Sequence, residues 1–198
     1  MNRTLLYIIA GALLLILVGS VAIPRLLPED ETYNGTLVDA SGPPEEFVLQ
    51  SANGDVHLSD FRGDLVVMYF GYTNCPDFCP ATLSKLAKVR EQLGDDAGDV
   101  QVLMITVDPE RDNPARLHQY MSAFDPSFVG LTGDEESIRA VTSQFGIFFQ
   151  SQPGSDATGY LVDHTTTLVV VDQNGRQRLF LPYDLTIDQV VNDLENLL

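Results

Sequence analysis

The sequence predicts an α/β domain, a central mixed sheet flanked by helices, preceded by one N-terminal transmembrane helix. Three observations carry that expectation. Residues 4–23, TLLYIIAGALLLILVGSVAI, contain no charge. The run at residues 65–70 is continuously apolar and β-rich, as a strand buried on both faces is, and residues 100–107 form a second apolar strand. Helical spacings alternate with them, and a strand-helix-strand-helix order favours a parallel core.

Taken in order, residues 4–23 would reach about 30 Å as a helix, enough to cross a bilayer. Arg3 and Arg25 flank the run. Ser20-Val21-Ala22 offers the small residues of a signal-peptidase site, but the apolar run is long for a cleaved signal, so residues 1–24 read as a retained membrane anchor. So short a tail ahead of it leaves the large C-terminal part on the extracytoplasmic side. Residues 25–44 mix Pro, Gly, Ser and acid, and read as a flexible linker without structure of its own. Residues 45–198 are then the folded domain.

Within it, Asn53-Gly54 between two short apolar pieces signals a hairpin. LVVMYF at residues 65–70 is a central strand, and the two cysteines follow at its carboxyl end. Leu83, Leu86, Ala87 and Val89 alternate at helical spacing with Lys85, Lys88 and Arg90, and Gly94 ends that helix. A second strand closes at Asp108-Pro109, and Asn113-Pro114 opens a helix as cap and first residue. Thr132 or Asp134 caps the next helix, which runs to about Phe145. A short strand is expected at residues 147–150, a polar loop at 151–160 and a strand at 165–171. Gln173-Asn174-Gly175 turns that strand back on itself, and an amphipathic helix with Ile187, Val190, Val191 and Leu194 inward ends the chain. This order describes a thioredoxin-like domain.

Composition narrows the partners. A net charge of −17 argues against nucleic acid or anionic lipid and suits a basic protein partner, although solubility alone explains it as well. Two cysteines are too few for a disulfide-stapled scaffold.

Those two, Cys75 and Cys79, are separated by three residues and would be i, i+4 neighbours on one face if both lay in the first turn of a helix, with Pro76 as its first residue. A helix N-terminus favours thiolates, which are both nucleophiles of disulfide exchange and soft ligands for Cu(I) or Zn. A static disulfide or a pair of buried hydrophobes is the bland alternative, and the position at the end of a central strand favours chemistry. A thioredoxin has two residues between its cysteines, and a peroxiredoxin has Thr three before its reactive Cys, whereas Thr73 is two before Cys75. Neither pattern is met. His57 and His118 read as surface or packing residues. His164 leads from the polar loop into the strand after it, and the residues alone leave open whether it is a ligand or a cap. Asp108 could orient the site or simply end its strand; Asp77 could attract a cation or join the acids of a first helical turn.

GYTNCPDFCPATL, TVDPERDNP, FDPSFVGLTG and VDHTTTLVVVD, in this order, resemble the Sco family, also called SenC or PrrC proteins, from about residue 45 to the end. The resemblance implies a membrane-tethered thioredoxin-like domain that binds copper, as Cu(I) or Cu(II), through Cys75, Cys79 and His164. It also implies a metallochaperone rather than an enzyme, one that helps assemble the dinuclear copper centre of cytochrome c oxidase. The expected partners are the copper-containing subunit of that oxidase, a copper donor and a thiol reductant. Asn74 stands where relatives often carry His. Two thiolates and an imidazole suit Cu(I) and form a neutral site with Cu(II), whereas zinc would usually take a fourth ligand. The alternative is a thiol-disulfide oxidoreductase reducing the cysteines of a copper-receiving partner, which needs Cys75 and Cys79 but not His164.

Overall fold

Seven consecutive buried residues, Leu65–Gly71, form strand β4 at the centre of a six-stranded sheet. The computed structural model describes residues 32–38, 42–155 and 159–198. The expected anchor at residues 4–23 lies outside them, as do residues 25–31 and 39–41 of the expected linker. Among the described residues no helix is long and apolar enough to cross a membrane.

The chain from Tyr33 to Leu198 forms one unit. Its strands are β1 (Thr36–Leu37), β2 (Val48–Ser51), β3 (Gly54–His57), β4, β5 (Val100–Thr106), β6 (Val129–Leu131), β7 (Phe149–Pro153), β8 (Tyr160–His164), β9 (Leu168–Val171) and β10 (Gln177–Leu181). Its helices are α1 (Phe78–Leu93), α2 (Pro114–Ser122), α3 (Glu135–Gln144) and α4 (Ile187–Glu195). The main sheet runs β1-β10-β9-β4-β5-β6, parallel across β4, β5 and β6 and antiparallel across β4, β9, β10 and β1. This is the mixed sheet expected. Hairpins β2-β3 and β7-β8 form separate two-stranded sheets, with Gln50 of β2 bridging to Thr132 just after β6.

Register decides what meets at the sheet's carboxyl end. Gly71 lies opposite Thr106 across the parallel pair β4-β5, so the loops that follow these strands leave side by side. β9 runs the other way, with Met68 opposite Val169, so the segment entering β9 reaches that same end.

Local signals hold at most boundaries. Asn113 accepts from the Arg116 N–H with Pro114 in the first turn, and Asp134 caps α3 by accepting from the Ser137 N–H. Thr186 and Gln189 close a capping box on α4. Val129–Leu131, to which no strand was assigned, is the third parallel strand.

Three expectations are corrected. Residues 151–153 and Tyr160 of the expected loop belong to the paired strands β7 and β8, and the following strand starts at Leu168, so His164 ends β8. Both hairpin strands are mostly half-exposed, so they lack the apolar alternation that announces a strand. Helix α1 starts at Phe78 rather than Pro76. Pro80 sets that start: its ring would clash with the carbonyl four residues back, at Pro76, if both were helical, whereas near the first turn its missing N–H is no loss. The first helical bond runs from the Ala81 N–H to the Asp77 carbonyl.

Finally, part of the expected linker is built into the fold. β1 pairs with β10, and the buried Asp193 carboxylate of α4 accepts from the Asn34 N–H at 2.8 Å and the Gly35 N–H at 2.7 Å. A Cβ on Gly35 would stand 2.6 Å from Leu181, so only glycine fits against β10 there.

Candidate metal centre

Cys75, Cys79 and His164 arrive from three pieces of backbone. Cys75 sits in the loop after β4, Cys79 in the first turn of α1, and His164 at the end of β8. Their Sγ, Sγ and imidazole nitrogen atoms all lie within 4.8 Å of one another. Cys79 Sγ is 3.8 Å from His164 Nε2. Cys79 is fully buried and Cys75 half-buried. Both are free thiols. A cleft of about 380 Å³ opens over the group, lined on one side by Tyr72, Cys75 and Phe78 and on the other by Leu161, Val162 and His164.

The late start of α1 matters chemically. Because Cys75 precedes the helix, its sulfur faces the free N–H groups of the first turn and accepts from the Cys79 N–H at 3.4 Å. A hydrogen bond from the Cys79 thiol, aided by the backbone N–H groups of Cys79 and Asp77, pulls the Cys75 thiol down to about 4 against the opposing effect of burial. Cys79 moves the opposite way, because its proton is held against Cys75 and its sulfur is buried. The pair thus ionises as a unit, with the thiolate on Cys75 and the shared proton on Cys79.

His164 Nδ1 lies 3.0 Å from the Thr165 carbonyl. A carbonyl can only accept, so Nδ1 carries the proton and Nε2 presents its lone pair toward Cys79. Tyr72 packs its ring edge-on to the imidazole, with centroids 5.9 Å apart, and its hydroxyl accepts from the Val162 N–H at 3.2 Å. Burial raises the Tyr72 phenol above its ordinary value, so the hydroxyl stays neutral. β8 is thereby held against the loop that carries the cysteines.

Residues 108–112 support both sides of the site. The fully buried Asp112 accepts from the Thr73 N–H at 2.9 Å and from Thr106 Oγ1 at 2.8 Å, which holds the turn before Cys75. Arg116 extends that network to Thr73 and Asn74. Asp108 accepts from the Tyr160 hydroxyl at 2.6 Å and pairs with Arg111, whose guanidinium lies 3.6 Å from the Tyr160 ring centroid and donates to the Tyr160 carbonyl at 3.0 Å. Asp108 therefore acts on the start of β8, not only as the end of its own strand. Asp112, Arg111, Tyr160 and Tyr69 had no role assigned from sequence. DPERD was the available signal for the first two.

His57 caps the short 3-10 turn Leu58–Phe61, and His118 is exposed on α2 beside Ser122. Both lie outside the cluster. Asp77 is exposed at the cleft and caps α1 without a side-chain hydrogen bond. Phe78 is half-exposed at the mouth, edge-on to Tyr183, whereas Tyr72 is buried.

The donor set fits a soft metal. Two sulfurs, one already ionised, and an imidazole with a free lone pair offer three ligands, and among the described residues no further Cys or His joins them, leaving the cleft side open.

Residues 39–198 match the family model described as SCO1/SenC. An SCO2-like protein of Rickettsia conorii is 36% identical over 153 residues, which cover 76% of this chain and 75% of that one. The solution structure of the apo Sco1 protein from Thermus thermophilus is 40% identical, with a TM-score of 0.77, over 86% of this chain and 99% of that one. The structure of Bradyrhizobium japonicum ScoI with copper bound is 34% identical, with a TM-score of 0.72, over 79% of this chain and all 100% of that one.

Proposed function

Because this chain belongs to the SCO1/SenC family, we propose that it is a copper-binding protein that helps assemble the dinuclear copper centre of cytochrome c oxidase, carrying the metal on Cys75, Cys79 and His164. The observation that carries this reading is the convergence of two sulfurs and one imidazole nitrogen within 4.8 Å at the base of an open cleft. Copper is cargo here. The Cys75 thiolate and the His164 Nε2 lone pair are ready to ligate, whereas Cys79 must give up its proton, so uptake by the apo protein releases the Cys79 proton. The open side lets a ligand of the recipient approach the metal, which handover requires.

The uncharged residues 4–23 support a membrane tether, with residues 25–44 spacing it from the domain and the site on the extracytoplasmic side. A copper donor and a thiol reductant complete the cycle, because an oxidised pair cannot hold copper.

Copper titration of the chain beside its Cys75→Ser, Cys79→Ser and His164→Ala variants tests the ligand set. Each variant should lose Cu(II) affinity and weaken the thiolate-to-copper charge-transfer band. Retention of both in His164→Ala would overturn the three-ligand site and favour thiol-disulfide exchange, which needs only the cysteines.

A further inference from the structure

Tyr69 touches two of the three proposed ligands and has no part in the reading above. It is fully buried in β4. Its hydroxyl donates to Cys79 Sγ at 3.2 Å, and its ring lies edge-on to His164, with centroids 6.1 Å apart and planes at 71°. The neighbouring residue on the same strand face is Gly71. A Cβ there would meet Tyr69 Cε1 at 2.6 Å and Cys79 Sγ at 3.0 Å. The strand therefore ends in glycine where the tyrosine ring leans across it to reach the sulfur. A buried tyrosine hydroxyl needs a partner, and a sulfur is a weak acceptor until it ionises. The bond is thus strongest when Cys79 is a thiolate, as it is when it ligates metal.

We infer that Tyr69 is a positioning residue that holds the Cys79 sulfur by a hydrogen bond and, in the loaded site, tilts copper toward Cu(I). A hydrogen bond draws charge from a coordinating sulfur. Cu(II) depends on that charge more than Cu(I), so the donor favours the reduced ion. This deepens the copper reading and rests on it.

The test compares the copper-loaded full chain with Tyr69→Phe, which keeps the ring and removes only the hydroxyl, and with Gly71→Ala, which keeps the hydroxyl while displacing the ring and crowding the Cys79 sulfur. Thermal unfolding checks that each variant is folded. The expected result in both is a charge-transfer band moved to longer wavelength and a Cu(I)-to-Cu(II) affinity ratio lowered about tenfold, the size of one charge-assisted hydrogen bond. A folded Tyr69→Phe protein with the wild-type band and affinity ratio overturns the inference and leaves the copper reading standing. A wild-type chain that shows no charge-transfer band with copper overturns the copper reading and this inference with it.

Discussion

At the scale of single residues, the cysteine pair makes stability depend on pH in a calculable direction. Below its ordinary pKa of 9.0 each thiol of the unfolded chain holds a proton, so the pair holds two. The folded pair holds one from about pH 4 upward, since Cys75 is ionised while Cys79 keeps its proton. Between about pH 4 and 9 the unfolded state binds more protons, and this contribution to stability rises with pH. Above pH 9 the unfolded chain has released both while Cys79 still holds its own, and the contribution falls. Urea unfolding of the metal-free chain at pH 5 and pH 8 should show a smaller gain with pH in Cys75→Ser than in wild type; equal gains would remove the thiolate from Cys75. Both cysteines could be picked out of the sequence because their residue type is rare and their setting is a strand end. Tyr69 could not, because its hydroxyl finds a sulfur ten residues on through a ring that crosses Gly71.

Among elements, the decisive pieces are the two loops that leave β4 and β5 side by side. The loop after β5 holds the turn before Cys75 through Asp112 and the start of β8 through Asp108 and Arg111. Asp112→Ala would leave the Thr73 N–H and the Thr106 hydroxyl without their buried acceptor, and should destabilise the domain by about 3 kcal/mol in urea unfolding. The disturbance should concentrate at the turn before Cys75, so hydrogen exchange at the Thr73 amide should accelerate; unchanged protection there would mean the network does not hold the loop. Tyr160→Phe removes one bond to Asp108 and keeps the ring under Arg111, so its effect should be smaller, about 1 kcal/mol. DPERD advertised its place through proline and acid, but which acid holds which loop follows from strand register, and nothing local encodes it. The start of α1 is the opposite case. Pro80 excludes an earlier start by covalent geometry, a constraint legible in the sequence that a reading centred on Pro76 passed over.

For the whole molecule, the six-stranded sheet is completed at one edge by residues far from it in sequence. β1 covers the β10 edge, and Asp193 holds the segment before it from 158 residues away. Asp193→Ala should free that segment, speed amide exchange at Asn34 and Gly35, and lower stability by about 2 kcal/mol, since two backbone donors lose their acceptor. If both amides remain protected, β1 alone holds the strand. The sequence by itself determined the α/β class, the central strand, most helix caps and both cysteines. Those signals are local: periodicity within one element, turn residues at its ends, rare chemistry at a strand end. Residue pattern alone showed His164 only as a histidine ahead of a late strand, and the family resemblance named it a ligand; the geometry that brings it to the dithiol comes from the antiparallel placement of β9 beside β4. The β7-β8 hairpin, the capture of residues 33–38 and the work of Tyr69, Asp112 and Tyr160 also belong to tertiary structure alone. The hairpin's polar strands carry no apolar alternation, and the others depend on a partner tens of residues away or on a ring crossing a glycine, so a backbone must close around such pairs before either member carries a signal.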